Sequence, residues 1–132
     1  MTPEITWLAA TSFMTALFWV PYVLDRIAVR GLWAALAGAG PEGGAQSPWG
    51  ERALRAHRNA IENLAVFAPL VLIAHAEGLS SPLLAGAAAA YFFARLVHFL
   101  VYSAGLPVVR TLAFAVGWAA QMIFAAAIFH WI

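Results

Sequence analysis

The sequence contains no cysteine and no lysine, and charged residues of any kind are scarce. They make up 10% of the 132 positions, whereas soluble domains carry about 25%. Without cysteine the chain can form neither a disulfide nor a thiolate metal site, so any thiol chemistry must use the thiol of a ligand. The seven basic residues are all arginine and the net charge is +1, which argues against a nucleic-acid partner.

Hydrophobic residues form 64% of the chain and gather in long runs. Residues 5–24 carry no charge, and a membrane-spanning helix needs about 20 apolar residues. No basic residue precedes this run, and it is longer than the apolar region of a signal peptide, which has about 7–15 residues. We therefore interpret the run as a retained span.

Breaker residues divide the rest of the chain into three further helices. Residues 31–50 hold six of the ten glycines and predict a loop, at whose end Ser47 can cap the second helix ahead of Pro48. The predicted fold is all-α. Residues 1–132 form a single domain, an integral membrane four-helix bundle with helices at about 4–30, 48–76, 82–104 and 107–131.

The placement of the arginines predicts the orientation of this multi-pass protein. Arginines flank the first and third loops, whereas the N-terminus, the second loop and the C-terminus have none. Because basic residues favour the cytoplasmic side, both termini are predicted outside the cytoplasm. The arginine- and alanine-rich composition suggests a bacterial inner membrane.

One polar stripe is predicted on the second helix. At about 100° per residue, five polar side chains fall within an arc of about 100°: Glu51, Arg55, Arg58, Asn59 and Glu62. A solvated helix end with ion pairs explains Glu51, which lies in the first turn of the helix. The deeper ones favour a functional site, because ionisable groups inside a span are costly.

A second stripe lies on the third helix. Tyr91, Arg95, His98 and Tyr102 fall within an arc of about 60°. Arg95 lies too far from the helix end to reach the interface easily. It can form a structural ion pair with Glu62, line a ligand site, or do both. His98 alone is typical of a hydrogen-bonded packing residue, but its neighbours are equally compatible with a site.

Arg110 opens the fourth helix beside Thr111, either as an interfacial anchor or as a cation of the same site. Together these groups predict a pocket between helices that offers cations for carboxylates and acceptors for an ammonium group. No metal site is predicted, because the four histidines are spread over both ends of the helices and no pair has the spacing H-x-x-x-H.

Three motifs resemble the MAPEG family, the membrane-associated proteins of eicosanoid and glutathione metabolism. The first is RAHRNAIEN at residues 55–63. The others are Arg95-x-x-His98-x-x-x-Tyr102 and Pro107-x-x-Arg110-Thr111. They most closely resemble the branch of microsomal prostaglandin E synthase and microsomal glutathione transferase, which has serine where this chain has Thr111. The chain resembles a bacterial-type member.

The resemblance implies a homotrimer that binds glutathione between subunits near the cytoplasmic face. By motif position Arg110 would be the catalytic residue that stabilises the glutathione thiolate. The family also has an arginine on its first helix, and the spacing does not show whether Arg26 or Arg30 matches it. The implied glutathione-binding residues are Arg26, Arg30, Arg55, His57, Arg58, Asn59, Glu62, Arg95, His98, Tyr102 and Thr111.

The leading hypothesis is a glutathione-dependent transferase or peroxidase that acts on lipophilic electrophiles, with lipids and a lipophilic small molecule as partners. The alternative is a non-catalytic membrane protein of the same fold that binds lipid or acts as a scaffold. Transport is a weaker hypothesis, since the sequence has no inverted repeat and no broken helix at the membrane midplane.

Overall fold

The computed structural model describes residues 1–37 and 46–132, and within those ranges all regular structure is helical. Four units are long and apolar enough to cross a membrane, the first being α1 and α2 together. The all-α prediction with four spans is confirmed. The helices are α1 Pro3–Leu17, α2 Trp19–Arg30, α3 Leu32–Leu36, α4 Pro48–Ala76, α5 Pro82–Ala104 and α6 Pro107–Ile128.

The first span is interrupted at Phe18, where the sequence predicted one helix over residues 4–30. Pro21 explains the break. Its ring clashes with the carbonyl of the residue four positions earlier, Leu17, and it has no N–H to donate to that carbonyl. The chain tightens just before it, where the Phe18 N–H donates to the Thr15 carbonyl at 3.2 Å.

The segment between the first two spans is not entirely a loop, because residues 32–36 form α3. Residues 38–45 of the predicted loop lie outside the described residues. Ser47 precedes α4 as predicted, but its side chain makes no capping hydrogen bond. Its backbone N–H instead donates to Asp25 Oδ2 at 2.8 Å, which ties the start of α4 to α2.

The last three spans end in the same way, with a residue of positive φ just beyond the helix. Gly78, Gly105 and His130 take that position, and the backbone N–H of the residue after each closes onto the helix as in a Schellman motif. His130, with φ of 56°, ends α6 at Ile128 rather than at the predicted residue 131.

Helix α5 is the centre of the bundle and packs against α1, α4 and α6. One core cluster centres on Phe67, whose ring stacks on Tyr91 at 3.7 Å and meets Phe124 edge-on at 5.7 Å. A second cluster lies nearer the arginine-rich end, where Phe18 stacks on Phe99 at 4.0 Å. The break at Phe18 thus places that ring against α5.

Large apolar side chains cover much of the outer surface of the spans, for example Phe13, Leu112 and Val116. An apolar groove of about 390 Å³ runs between α5 and α6, with Phe93, Val97 and Leu112 among its lining residues. Such a surface suits contact with lipid chains rather than water.

Candidate functional site

A cavity of about 320 Å³ opens between α4, α5 and α6, towards the arginine-rich end of the bundle. Helix α4 contributes one amide side chain, α5 an imidazole and a phenol, and α6 a guanidinium, a hydroxyl and an aromatic ring. The lining residues are Asn59, His98, Tyr102, Arg110, Thr111 and Phe114. The two helix faces predicted as polar stripes therefore meet the start of α6 at one site.

Arg95 lies beside this cavity and is only 1% exposed. Its Nη2 donates to Asn59 Oδ1 and lies 3.4 Å from His98 Nδ1, while its Nε has no hydrogen-bond partner among the described residues. No carboxylate of residues 1–37 or 46–132 forms an ion pair with it. The guanidinium is therefore a buried cation held by neutral groups.

The ion pair between Glu62 and Arg95, one of the alternatives left open by the sequence, does not form within this chain. Glu62 is exposed, and Asn59 occupies the place facing Arg95. Asn59 and Glu62 are three positions apart, so their side chains differ by about 60° around the helix. That rotation is enough to turn Asn59 towards α5 and Glu62 outwards.

Arg110 reaches the cavity from the first turn of α6. Its Cζ lies 4.6 Å from the centre of the Tyr102 ring, a cation–π contact that fixes the guanidinium at the cavity wall. Beside it, the Thr111 hydroxyl donates to the Pro107 carbonyl at 3.0 Å. Thr111 thus has its proton engaged and presents an acceptor lone pair to its surroundings.

Other predicted site residues lie elsewhere in the protomer. Arg58 is exposed on α4, and Arg55 on the same helix pairs with Glu51 at 3.5 Å. His57 turns to the opposite side, where its Nδ1 shares a hydrogen bond of 2.8 Å with the Tyr22 hydroxyl.

The two arginines of the first span also lie outside the cavity wall. Arg26 has a buried Nε for which the described part of the chain offers no hydrogen-bond partner, and Arg30 is the last residue of α2. His57 therefore belongs to the contact between α2 and α4, and neither Arg26 nor Arg30 is among the residues that line the cavity.

Three residues near the site were not predicted. Phe114 lines the cavity one turn after Arg110, a spacing that could have identified it. Asn63 donates to the Asn59 carbonyl at 2.9 Å, and Gln121 Nε2 donates to the Asn63 carbonyl at 3.3 Å. This chain of amides extends the polar network from Arg95 to α6. In the described part of the chain, no three His, Asp or Glu side chains gather as metal ligands.

Residues 6–130 match the model of the MAPEG family. No curated protein matches the chain. The match covers nearly the whole sequence and all or most of each of the four long apolar helices. This multi-pass integral membrane protein therefore belongs to the MAPEG family.

Proposed function

We propose that this protein binds glutathione in the cavity beside Arg95 and acts as a transferase or peroxidase on lipophilic electrophiles. Membership of a family that is generally associated with glutathione supports the choice of thiol. The observation that carries the proposal is the state of Arg95. A cation that is 1% exposed, and that among residues 1–37 and 46–132 is held by the neutral groups of Asn59 and His98, needs an anion to offset the cost of burial.

Glutathione is chemically suited to the residues present. It carries two carboxylates and one ammonium group, and its thiol would supply the nucleophile that the cysteine-free chain lacks. Arg95 has an unused Nε for a carboxylate, and the Asn59 amide already neighbours that guanidinium. Tyr102 and His98 add polar groups to the same wall.

Arg110 is the proposed catalytic group. A thiolate is a far better nucleophile than a thiol, and a nearby positive charge lowers the pKa of a thiol. The contact with the Tyr102 ring holds the Arg110 guanidinium over the cavity, so the charge is in place before a ligand arrives. The membrane would deliver the lipophilic electrophile to the same end of the bundle.

We also propose that the working unit is a homotrimer whose subunits share the site. Glu62 lies about 21 Å along α4, near the middle of this span. It is exposed, as is Arg58 one turn earlier. Charged groups facing lipid at this depth are unfavourable. A neighbouring subunit that covers this face of α4 would remove that cost and bring both residues to the glutathione site.

The experiment is a glutathione titration of the purified protein in nanodiscs, followed by thiolate absorbance and by conjugation of a model electrophile. In Arg110→Gln we expect the thiol pKa to return towards its ordinary value of about 8.5. Turnover at neutral pH should then fall by about tenfold or more, which corresponds to a barrier increase of about 1.4 kcal/mol. Arg110→Lys should restore part of the effect, because it keeps the charge.

His75→Ala is the control, since His75 is exposed at the far end of α4. Normal thiolate formation and turnover in Arg110→Gln, with His75→Ala also normal, would refute the role of Arg110.

A non-catalytic lipid-binding protein is the second candidate, and two observations favour it. The Thr111 hydroxyl is committed to the Pro107 carbonyl, so it does not donate to a thiolate. The apolar groove between α5 and α6 is large enough for part of a lipid chain. This candidate predicts lipid binding together with glutathione binding that yields no thiolate, or with no glutathione binding at all.

A further inference from the structure

Helix α3 is short, apolar and exposed. It consists of residues 32–36, Leu-Trp-Ala-Ala-Leu, and none of its side chains carries a polar group other than the indole N–H of Trp33. Trp33 is 82% exposed and Leu36 is 65% exposed. These residues take no part in the cavity near Arg95. In water such a surface would be unfavourable, so its position relative to the membrane matters.

The end of the first span places α3 at the membrane boundary. Helix α2 ends at Arg30, and Gly31 follows with φ of +83°, a conformation that suits glycine. One residue therefore separates the span from α3, and no long linker allows α3 to leave the interface. Trp49, 40% exposed at the start of α4, lies at the same end of the bundle. Tryptophan is favoured at this level of a bilayer.

The charges in the segments around α3 are predominantly positive. Residues 25–58 hold five arginines and three acidic residues. Of the acids, Asp25 is buried and accepts the Ser47 N–H, and Glu51 is paired with Arg55. The opposite end of the bundle has Glu4 and Glu77 and no arginine or lysine. The end of the bundle that carries α3 is thus the more basic end, and it complements negatively charged groups.

We propose that α3 is an interfacial anchor that lies in the plane of the membrane surface and binds anionic lipid headgroups. Trp33, Leu32 and Leu36 insert between the headgroups and the upper part of the acyl chains, and the flanking arginines contact lipid phosphates. This is the physical pattern of a helix that lies on a membrane rather than across it. Basic residues next to a span add attraction to anionic lipid.

A second copy of the chain is the other occupant that could cover α3. The helix offers only three large apolar side chains, whereas a stable interface buries about 800 Å² on each partner. The lipid surface needs no such area, because the spans already hold α3 against it. The proposal is independent of glutathione binding and of the subunit number.

The absence of cysteine makes a direct test possible, because one introduced cysteine can be labelled alone. We would attach an environment-sensitive fluorophore to Leu36→Cys in the full chain and reconstitute it in phosphatidylcholine vesicles, with and without phosphatidylglycerol. Acrylamide quenches the label from water, and nitroxide lipids labelled at the headgroup or deep in the chain quench it from the bilayer. Glu77→Cys, in an exposed turn, and Phe13→Cys, on the surface of α1, are the aqueous and membrane-core controls.

Leu36→Cys should be quenched less by acrylamide than Glu77→Cys, and most strongly by the headgroup nitroxide. Phosphatidylglycerol should lower acrylamide quenching further, by about twofold, through attraction to the arginines. Quenching equal to that of Glu77→Cys would place α3 in water and overturn the proposal. Protection from both acrylamide and nitroxide lipids would show that protein covers α3, and would overturn it as well. Identical results in the two lipid mixtures would reject the preference for anionic lipid.

Discussion

Arg95 and Asn59 form the contact on which the proposed binding of glutathione depends. The amide oxygen of Asn59 accepts from Arg95 without neutralising it. An aspartate at the same position would make an internal ion pair and leave less positive charge for a ligand. The choice of an amide therefore keeps a buried cation oriented while its charge stays available.

This role leads to a prediction for two substitutions of Asn59. Asn59→Asp should fold normally but bind glutathione about tenfold or more weakly, because the new carboxylate competes for the Arg95 guanidinium. Asn59→Leu should lower the free energy of unfolding by about 1–3 kcal/mol, because it removes a partner from a buried charged donor. Thermal unfolding in one detergent and isothermal titration with glutathione would measure the two effects. Undiminished affinity in Asn59→Asp would contradict the proposed use of Arg95.

Helical periodicity placed Arg95, His98 and Tyr102 on one face, and the structure has His98 and Tyr102 lining the cavity with Arg95 beside it. Periodicity could not determine which residue of α4 faces Arg95, because that depends on how α4 is rotated relative to α5. Charge favoured Glu62, whereas packing selected Asn59. For the same reason the sequence did not show that His57 faces Tyr22 and the first span.

At the scale of elements, a close approach ties α2 to the start of α4. Asp25 accepts the Ser47 N–H, and Gly50 lies so near that a Cβ at this position would overlap the Asp25 carboxylate. The contact sets the position of the first turn of α4, which precedes Asn59 on the same helix. Glycine is required here for space rather than for its backbone conformation.

Gly50→Ala should therefore destabilise the protein by about 1–3 kcal/mol, the usual cost of overpacking. The matched control is Gly86→Ala in α5, where nothing in the described protomer lies within 4 Å of an added Cβ. That variant should be neutral or more stable by up to about 1 kcal/mol, because alanine favours helix over glycine. Unfolding midpoints measured in parallel would separate the two. Equal effects would show that the contact with Asp25 is not restrictive.

Helix limits are readable from sequence where local chemistry sets them. Proline opens α4, α5 and α6, and a glycine follows α4 and α5. The end of α6 is set by the left-handed backbone of His130, a conformation that the presence of a histidine does not predict. The break at Phe18 lies three residues before its cause, Pro21. The formation of α3 in a glycine-rich segment carries no strong local signal.

At the scale of the whole molecule, large apolar side chains cover much of the surface of the spans, but α4 carries a charged patch near its middle. Glu62 and Arg58 form it on α4, with the exposed Ile61 between them in sequence. This arrangement supports assembly through that face.

Native mass spectrometry of the detergent-solubilised protein should show three copies. Glu62→Arg should shift the population towards single chains, because it places like charges four residues apart on the interface helix. Glu77→Arg, an equal change of charge in the exposed turn after α4, should leave three copies intact. A single copy for the unaltered protein, or no difference between the variants, would refute assembly through this face.

The depth of Arg95 also determines how the protein responds to ionic strength. Salt screens exposed charges over about 8 Å at physiological concentration, but it screens buried ones far less. The attraction exerted by arginines exposed near the helix ends, such as Arg55, should fade as salt is added, whereas the field of Arg95 inside the bundle should persist. For the proposed function, capture of an anion from solution and its retention in the cavity would thus be governed by different arginines, and only capture would vary with the salt content of the surrounding water.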